Sequence, residues 1–211
     1  ALDFEDLEIT FYDGLLWVPP GTVVEAGPER FAKRRYWRLE FTPELRLRDN
    51  REYGDAFREL LIDSVQRRLR TRVPIGFFLS GGLDSSSIVG IARQSHLLEI
   101  RGPLRTFSAL FPGYPHIDER EWMDLVMSTG QFDPCFVRVD RCTPLGLLET
   151  EIPAHGEPFF SPNNYVDSAL LDCAQKAGIR LILDGLDGDT AVGHGWEVLG
   201  ELDDLPIAYE T

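Results

Sequence analysis

The apolar positions fall into two regimes along the 211-residue chain. Downstream of Val73, short apolar runs alternate with amphipathic segments. The run from Val73 to Leu79 ends in Phe77-Phe78-Leu79 and predicts a buried strand over Ile75–Leu79. The segment after it predicts a helix over Ser85–Gln94. The same pattern predicts strands at Leu104–Phe111, Phe132–Val139 and Ile179–Leu183. Between them it predicts helices from Asp118-Glu119 to Thr129, over Thr143–Thr150 and over Asn164–Ala177, the last stopped by Gly178. A loop rich in Pro, Gly and Asn is expected from Pro153 to Asn163. Strands that alternate with helices predict an α/β fold with a doubly wound parallel sheet.

Upstream of Val73 the pattern changes. Tyr53, Phe57, Leu60, Leu61, Val65 and Leu69 recur at helical spacing, so an amphipathic helix is expected over Tyr53–Leu69. Its tail carries Arg67, Arg68, Arg70 and Arg72, which suits the negative end of a helix dipole. Residues 43–52 are polar and predict a linker. Before them, Pro19-Pro20-Gly21 marks a turn, Thr22–Glu25 reads as a short strand, and a second short strand is expected near Arg35-Tyr36-Trp37. That makes a β-hairpin, too small to be a domain.

Composition narrows the possible tasks. Lys and Arg number 21 against 35 Asp and Glu, a net charge of −14. A strongly acidic chain is a poor partner for nucleic acid, whose phosphates recruit basic patches. No apolar run approaches the roughly 20 residues that span a bilayer, so no membrane partner and a cytoplasmic location are expected. The three cysteines, Cys135, Cys142 and Cys173, are irregularly spaced. They match neither a disulfide framework nor a zinc pattern and are expected to be unpaired thiols.

The chemistry concentrates in Leu79-Ser80-Gly81-Gly82-Leu83-Asp84-Ser85-Ser86, between the first predicted strand of the sheet and its helix. Glycine here lets a ligand approach the backbone closely. The first turn of the helix offers free N–H groups, an anion site suited to phosphate or pyrophosphate. An ordinary βα turn with a serine cap is the plain alternative. The Walker pattern is absent, because no Lys follows the glycines. An Asp placed to hold Mg²⁺, with no lysine on a γ-phosphate, suits attack at the α-phosphate of ATP. A second Gly/Asp-rich stretch, Asp184-Gly185-Leu186-Asp187-Gly188-Asp189, follows the last predicted strand. Carboxylates near a pyrophosphate imply Mg²⁺, a hard cation that seeks oxygen ligands.

Ser80-Gly81-Gly82-Leu83-Asp84-Ser85-Ser86 resembles the pyrophosphate loop of ATP pyrophosphatases, and with its flanks it resembles the synthetase domain of the asparagine synthetase family. The resemblance implies that the strands before the two loops are neighbours and that both loops face one ATP. It implies nucleotide contacts from Leu79, Ser80, Gly81, Gly82, Asp84, Ser85, Ser86, Ala109, Asp184 and Gly185, and Mg²⁺ held by Asp84 and Asp189. Thr106-Phe107-Ser108-Ala109 resembles the segment whose backbone meets adenine, and Asp118-Glu119 an acidic pair that opens the next helix. Glu157-Pro158 and Pro162-Asn163-Asn164 resemble the border of the acyl pocket. Residues 1–42, with Pro-Pro-Gly and Tyr-Trp, resemble the closing segment of the family's glutaminase domain, which leaves 53–211 as the N-terminal part of the ATP-binding domain.

Three positions depart from the family. Asp184 stands where Ser is usual, Thr190 replaces a Glu, and Leu186 stands where the family has a Glu that assists attack on the acyl-adenylate. The Leu186 departure points towards paralogues such as lasso-peptide cyclases and β-lactam synthetases, which use an internal amine. The family's catalytic lysine lies downstream of the second loop, and neither Lys33 nor Lys176 matches it. No catalytic residue is therefore assigned. The chain is expected to be an incomplete synthetase that binds nucleotide with little turnover of its own. Expected partners are ATP, a small carboxylate or peptide substrate, and ammonia from a glutaminase domain or an internal amine, with a homodimer left open. A non-catalytic nucleotide-binding module is the reading from another class.

Overall fold

The computed structural model describes residues 8–38, 40, 43–95, 102–156, 163–186 and 188. The chain divides into two compact units, Ala1–Asn50 and Arg51–Thr211. The first contains an antiparallel hairpin, β1 (Thr22–Gly27) and β2 (Arg30–Arg35), in the register Thr22↔Arg35 to Gly27↔Arg30. The second strand thus starts earlier than expected, because only Pro28 and Glu29 separate the strands. Tyr36 and Trp37 lie just past it, where both their N–H groups donate to the Gly21 carbonyl, at 2.7 and 3.1 Å. Gly21 has φ +65°, and a Cβ there would strike the Trp37 backbone. The Pro-Pro-Gly turn and the Tyr-Trp step are therefore one contact. No described residue of 8–50 is buried.

The second unit is built on a parallel sheet. Helix α1 (Asn50–Arg68) leads in, starting three residues before the expected helix and inside the predicted linker. Then come β3 (Ile75–Phe78), α2 (Leu83–Gln94), β4 (Leu104–Leu110), α3 (Arg120–Met127) and β5 (Phe132–Arg138). A 3₁₀ turn at Pro144–Leu147 runs into α4 (Leu148–His155), followed by α5 (Asn164–Lys176) and β6 (Leu181–Leu183). Pro153 sits inside α4 instead of opening the predicted loop. Most of that loop, with Glu157, Pro158 and Pro162, lies outside the described residues.

The strand order is β5-β4-β3-β6, all parallel. Sequence order reverses between β3 and β6, so the strands before the two Gly/Asp-rich loops are indeed neighbours, paired Ile75↔Leu181 to Phe77↔Leu183. In such sheets a ligand crevice opens outside the carboxyl ends of the strands at the reversal.

Alternation along β3 gives the sheet its two faces. Ile75, Phe77 and Leu79 pack with Val65 of α1, Leu69 just past its end, Val89 and Ala92 of α2, and Met123 of α3. On the other face Phe107 packs with Leu170 and Ala174 of α5. Helices on both faces make the sheet doubly wound. Gly76 makes room on the second face, since a Cβ there would come within 2.7 Å of the Phe107 ring.

The cysteine expectation fails at this face. Cys135 on β5 and Cys173 on α5 form a disulfide, while Cys142 is free and exposed. The pairing follows from the packing of α5 on β5 across 38 residues of sequence, which spacing does not reveal.

Two core substitutions test this packing by urea unfolding. Phe77 is fully buried, and Phe77→Ala is expected to cost about 3–5 kcal/mol. Thr106 is also fully buried, and its Oγ1 has no hydrogen-bond partner among the described residues. Thr106→Val is expected to stabilise the protein by about 1 kcal/mol, because it removes an unsatisfied hydroxyl.

Candidate functional site

The site begins where β3 ends. Leu79 is buried, its N–H donates to the Phe107 carbonyl at 3.0 Å, and its own carbonyl accepts from Ser108 Oγ at 2.6 Å. With both backbone groups held, Leu79 anchors the loop. Ser108, expected only as part of the segment whose backbone meets adenine, is what fixes it through its side chain. The loop then knits itself together through its serines. The Ser80 N–H donates to Ser85 Oγ at 3.2 Å, the Gly82 N–H donates to Ser80 Oγ at 3.2 Å, and the two hydroxyls lie 3.0 Å apart. The hydroxyls of Ser80 and Ser85 are thus occupied within the loop. Ser86 keeps a buried Oγ with no hydrogen-bond partner among the described residues.

Gly81 has φ +92°, a conformation few side chains tolerate. It also lies against the first turn of α3. A Cβ there would come within 2.7 Å of the Trp122 Cβ, 3.2 Å of the Met123 nitrogen and 3.3 Å of the Glu119 carbonyl. Asp118, just before this helix, accepts from the Arg120 N–H at 3.2 Å, so that member of the acidic pair has a structural task. After Gly81, Gly82 caps α2 in an extended conformation with no side-chain hydrogen bond. The orphan N–H groups of the first turn of α2 are left without a side-chain cap, an arrangement that receives an anion.

The second loop meets the first at Asp84. Gly185 and Gly188 close a turn, with the Gly188 N–H donating to the Gly185 carbonyl at 3.1 Å. A Cβ on Gly185 would lie 2.8 Å from the Ser85 nitrogen and 2.9 Å from the Asp84 Cβ. At Gly188 it would fall on the Asp84 carboxylate, 2.7 Å from Oδ1. Asp184 starts the turn by accepting the Leu186 N–H at 3.1 Å. Leu186 is 77 % exposed, and Leu83 at the start of α2 is 87 % exposed. Ala109 lies on β4, packed against the Phe107 face and paired with Val137, a strand away from the loops. Asp189, the second expected Mg²⁺ ligand, and Thr190 lie outside the described residues.

A magnesium ion fits what is described. Asp84 is half-buried, and its carboxylate makes no hydrogen bond or ion pair with a described residue. No three His, Cys, Asp or Glu side chains gather into a metal site among the described residues. Mg²⁺ commonly takes one or two carboxylates and completes its shell with water and phosphate oxygens, which is the supply a bound nucleotide would bring.

Sequence reading missed Asp167, in the first turn of α5. Partial burial pushes its carboxyl up, and the negative charge of Asp184 adds to the shift. A carboxyl raised in the folded state binds its proton more tightly there than in the unfolded chain. Its ionisation therefore costs stability as pH climbs through and beyond the ordinary aspartate range. Asp167→Asn is expected to raise Tm at pH 7, and the gain should vanish once the pH falls below that range. In the first loop, Gly81→Val is expected to cost about 1–3 kcal/mol, read by urea unfolding, from positive φ and the clash with α3.

Comparison with known proteins agrees with this geometry. The family model for asparagine synthase matches residues 56–197, well over half of the chain. Amidase chry2 of Gibberella zeae is 29% identical over 198 residues, covering 87% of this chain and 29% of that protein. A putative asparagine synthetase [glutamine-hydrolyzing] 2 of Methanocaldococcus jannaschii is 30% identical over 162 residues, covering 76% of this chain and 30% of its own length. Asparagine synthetase [glutamine-hydrolyzing] 1 of Bacillus subtilis is 34% identical over 104 residues, covering 48% of this chain and 15% of its own length. The chain thus spans under a third of each of these relatives. Two loops joined at Asp84 beside the strand-order reversal, together with a family match across both, lead to one conclusion: the chain belongs to the asparagine synthase family.

Proposed function

We propose that the chain supplies the ATP-binding half-site of an amide-forming ligase of asparagine synthetase type. The observation that carries this reading is the uncapped helix N-terminus after Gly82, which faces the Asp184–Gly188 turn across Asp84 at the reversal of strand order. In this reading a substrate carboxylate attacks the α-phosphate of ATP and pyrophosphate leaves. The backbone of Ser80–Gly82 and the first turn of α2 hold the departing charge. Donors preorganised where charge develops are a large catalytic term. Asp84, with Asp189, would hold Mg²⁺, which when bound neutralises charge on the phosphates. An amine then attacks the acyl-adenylate.

The amine is ammonia from a glutaminase domain or an internal amine of the substrate. Leu186 favours the second. An exposed leucine offers no carboxylate to orient ammonium, at the position where asparagine synthetases carry Glu. Of the described helices, none is long and apolar enough to cross a membrane.

Isothermal titration tests the ATP site. Mg–ATP is expected to bind, and Asp84→Ala is expected to weaken binding about tenfold or more, about 1.4 kcal/mol. Heat absent from wild type, or unchanged in the variant, would favour a non-catalytic module. Supplying ¹⁵N-ammonium during turnover by the ligase to which this half-site belongs separates the two amines. Label in the product marks ammonia as acceptor, and an unlabelled ring-closed product marks an internal amine.

A further inference from the structure

Alternation along β4 puts Leu104, Ser108 and Leu110 on the face that packs with α1 to α3, and Phe107 and Ala109 on the face under α5. Ser108 is thus a hydroxyl among apolar side chains, and only 1 % of it is exposed. Burying a hydroxyl costs free energy unless it is hydrogen-bonded. Ser108 offsets that cost with a single bond, from its Oγ to the Leu79 carbonyl at 2.6 Å.

That bond falls on one particular peptide group. The peptide between Leu79 and Ser80 has its carbonyl held by Ser108 and its N–H held by Ser85 Oγ at 3.2 Å. A peptide group is planar, so fixing both of its poles fixes its rotation. The angle at which the chain leaves β3 and enters the glycine turn is then set. One pole is tied to the sheet and the other to the first turn of α2. The Leu79 N–H, bonded to the Phe107 carbonyl, belongs to the preceding peptide and does not restrain this one. Gly82 follows the clamped peptide, because its N–H donates to Ser80 Oγ at 3.2 Å.

We propose that Ser108 is a positioning residue for the pyrophosphate site: its hydroxyl locks the Leu79–Ser80 peptide and so holds the Ser80–Gly82 backbone against the first turn of α2. Ser108 acts through the Leu79 carbonyl and need not touch a ligand. The lock stands on geometry alone; its use for pyrophosphate rests on the ATP-site reading above.

The experiment uses the full chain and three variants. Ser108→Ala removes the hydroxyl, and Ser108→Cys keeps a near-isosteric but weaker donor. Val139→Ala removes buried volume just past β5, two strands from β3. Hydrogen–deuterium exchange of the ligand-free protein reads the lock. Amides of residues 80–86 are expected to exchange about tenfold faster in Ser108→Ala, at intermediate rates in Ser108→Cys, and at wild-type rates in Val139→Ala. Unchanged exchange in Ser108→Ala, or an equal rise in Val139→Ala, overturns the proposal. If Ser108→Ala does not fold, Ser108→Cys carries the same comparison.

Binding reads the use of the lock. The probes are a non-hydrolysable ATP analogue with Mg²⁺ and inorganic pyrophosphate with Mg²⁺. Kd for both is expected to rise about tenfold in Ser108→Ala and to stay within about twofold of wild type in Val139→Ala. Faster exchange with unchanged affinity makes Ser108 merely structural and overturns the positioning role. If wild type binds neither probe, the ATP-site reading fails and the positioning role falls with it. The exchange rates then still decide whether Ser108 locks the loop.

Discussion

The pairing of β3 with β6 is the constraint on which the site depends. Parallel hydrogen bonds from Ile75↔Leu181 to Phe77↔Leu183 bring together strands separated by about half the chain. That pairing is non-local, so its loop-closure entropy must be offset by burial. Phe77 and Leu79 bury on one side, and Phe107 buries beneath Gly76 on the other. Once the strands pair in parallel, each Gly/Asp-rich loop leaves the carboxyl end of the sheet. Contact between Gly185, Gly188 and Asp84 is then a consequence of topology and small side chains.

The first loop is braced from three directions. Ser108 on β4 holds the Leu79 carbonyl, α3 lies under Gly81, and the second loop covers Asp84. The serines that look from sequence like ligand donors are mostly spent on the loop itself. Ser80 and Ser85 bond each other and nearby N–H groups. This division of labour suits a preorganised anion site: hydroxyls keep the loop rigid, and the helix end provides donors that need not reorganise.

Much of this was legible in the sequence. Apolar runs bounded by glycines marked β3 to β5 to within a residue or two, because buried parallel strands leave a continuous signal. The strand–glycine–helix order around Ser80–Ser86 likewise marked the turn between β3 and α2. What stayed hidden was tertiary. Ser108 looked like any strand residue, and Gly188 like any turn glycine, until the sheet placed their partners. Asp167 carries no motif; its carboxyl is raised chiefly by partial burial in the fold, with the charge of Asp184 adding to it. The Cys135–Cys173 disulfide likewise depends on α5 lying over β5. The hairpin was foreseen, but its register was set by a two-residue connection that composition does not specify.

The central claim is that the loops at 79–86 and 184–188 form one nucleotide site with Asp84 between them. Hydrogen–deuterium exchange, with and without Mg²⁺ and a non-hydrolysable ATP analogue, tests it most directly. The account predicts that backbone amides of both loops slow together on adding the complex, and that Asp84→Ala removes protection from both. Protection of one loop alone, or of neither while the analogue is bound, would contradict it.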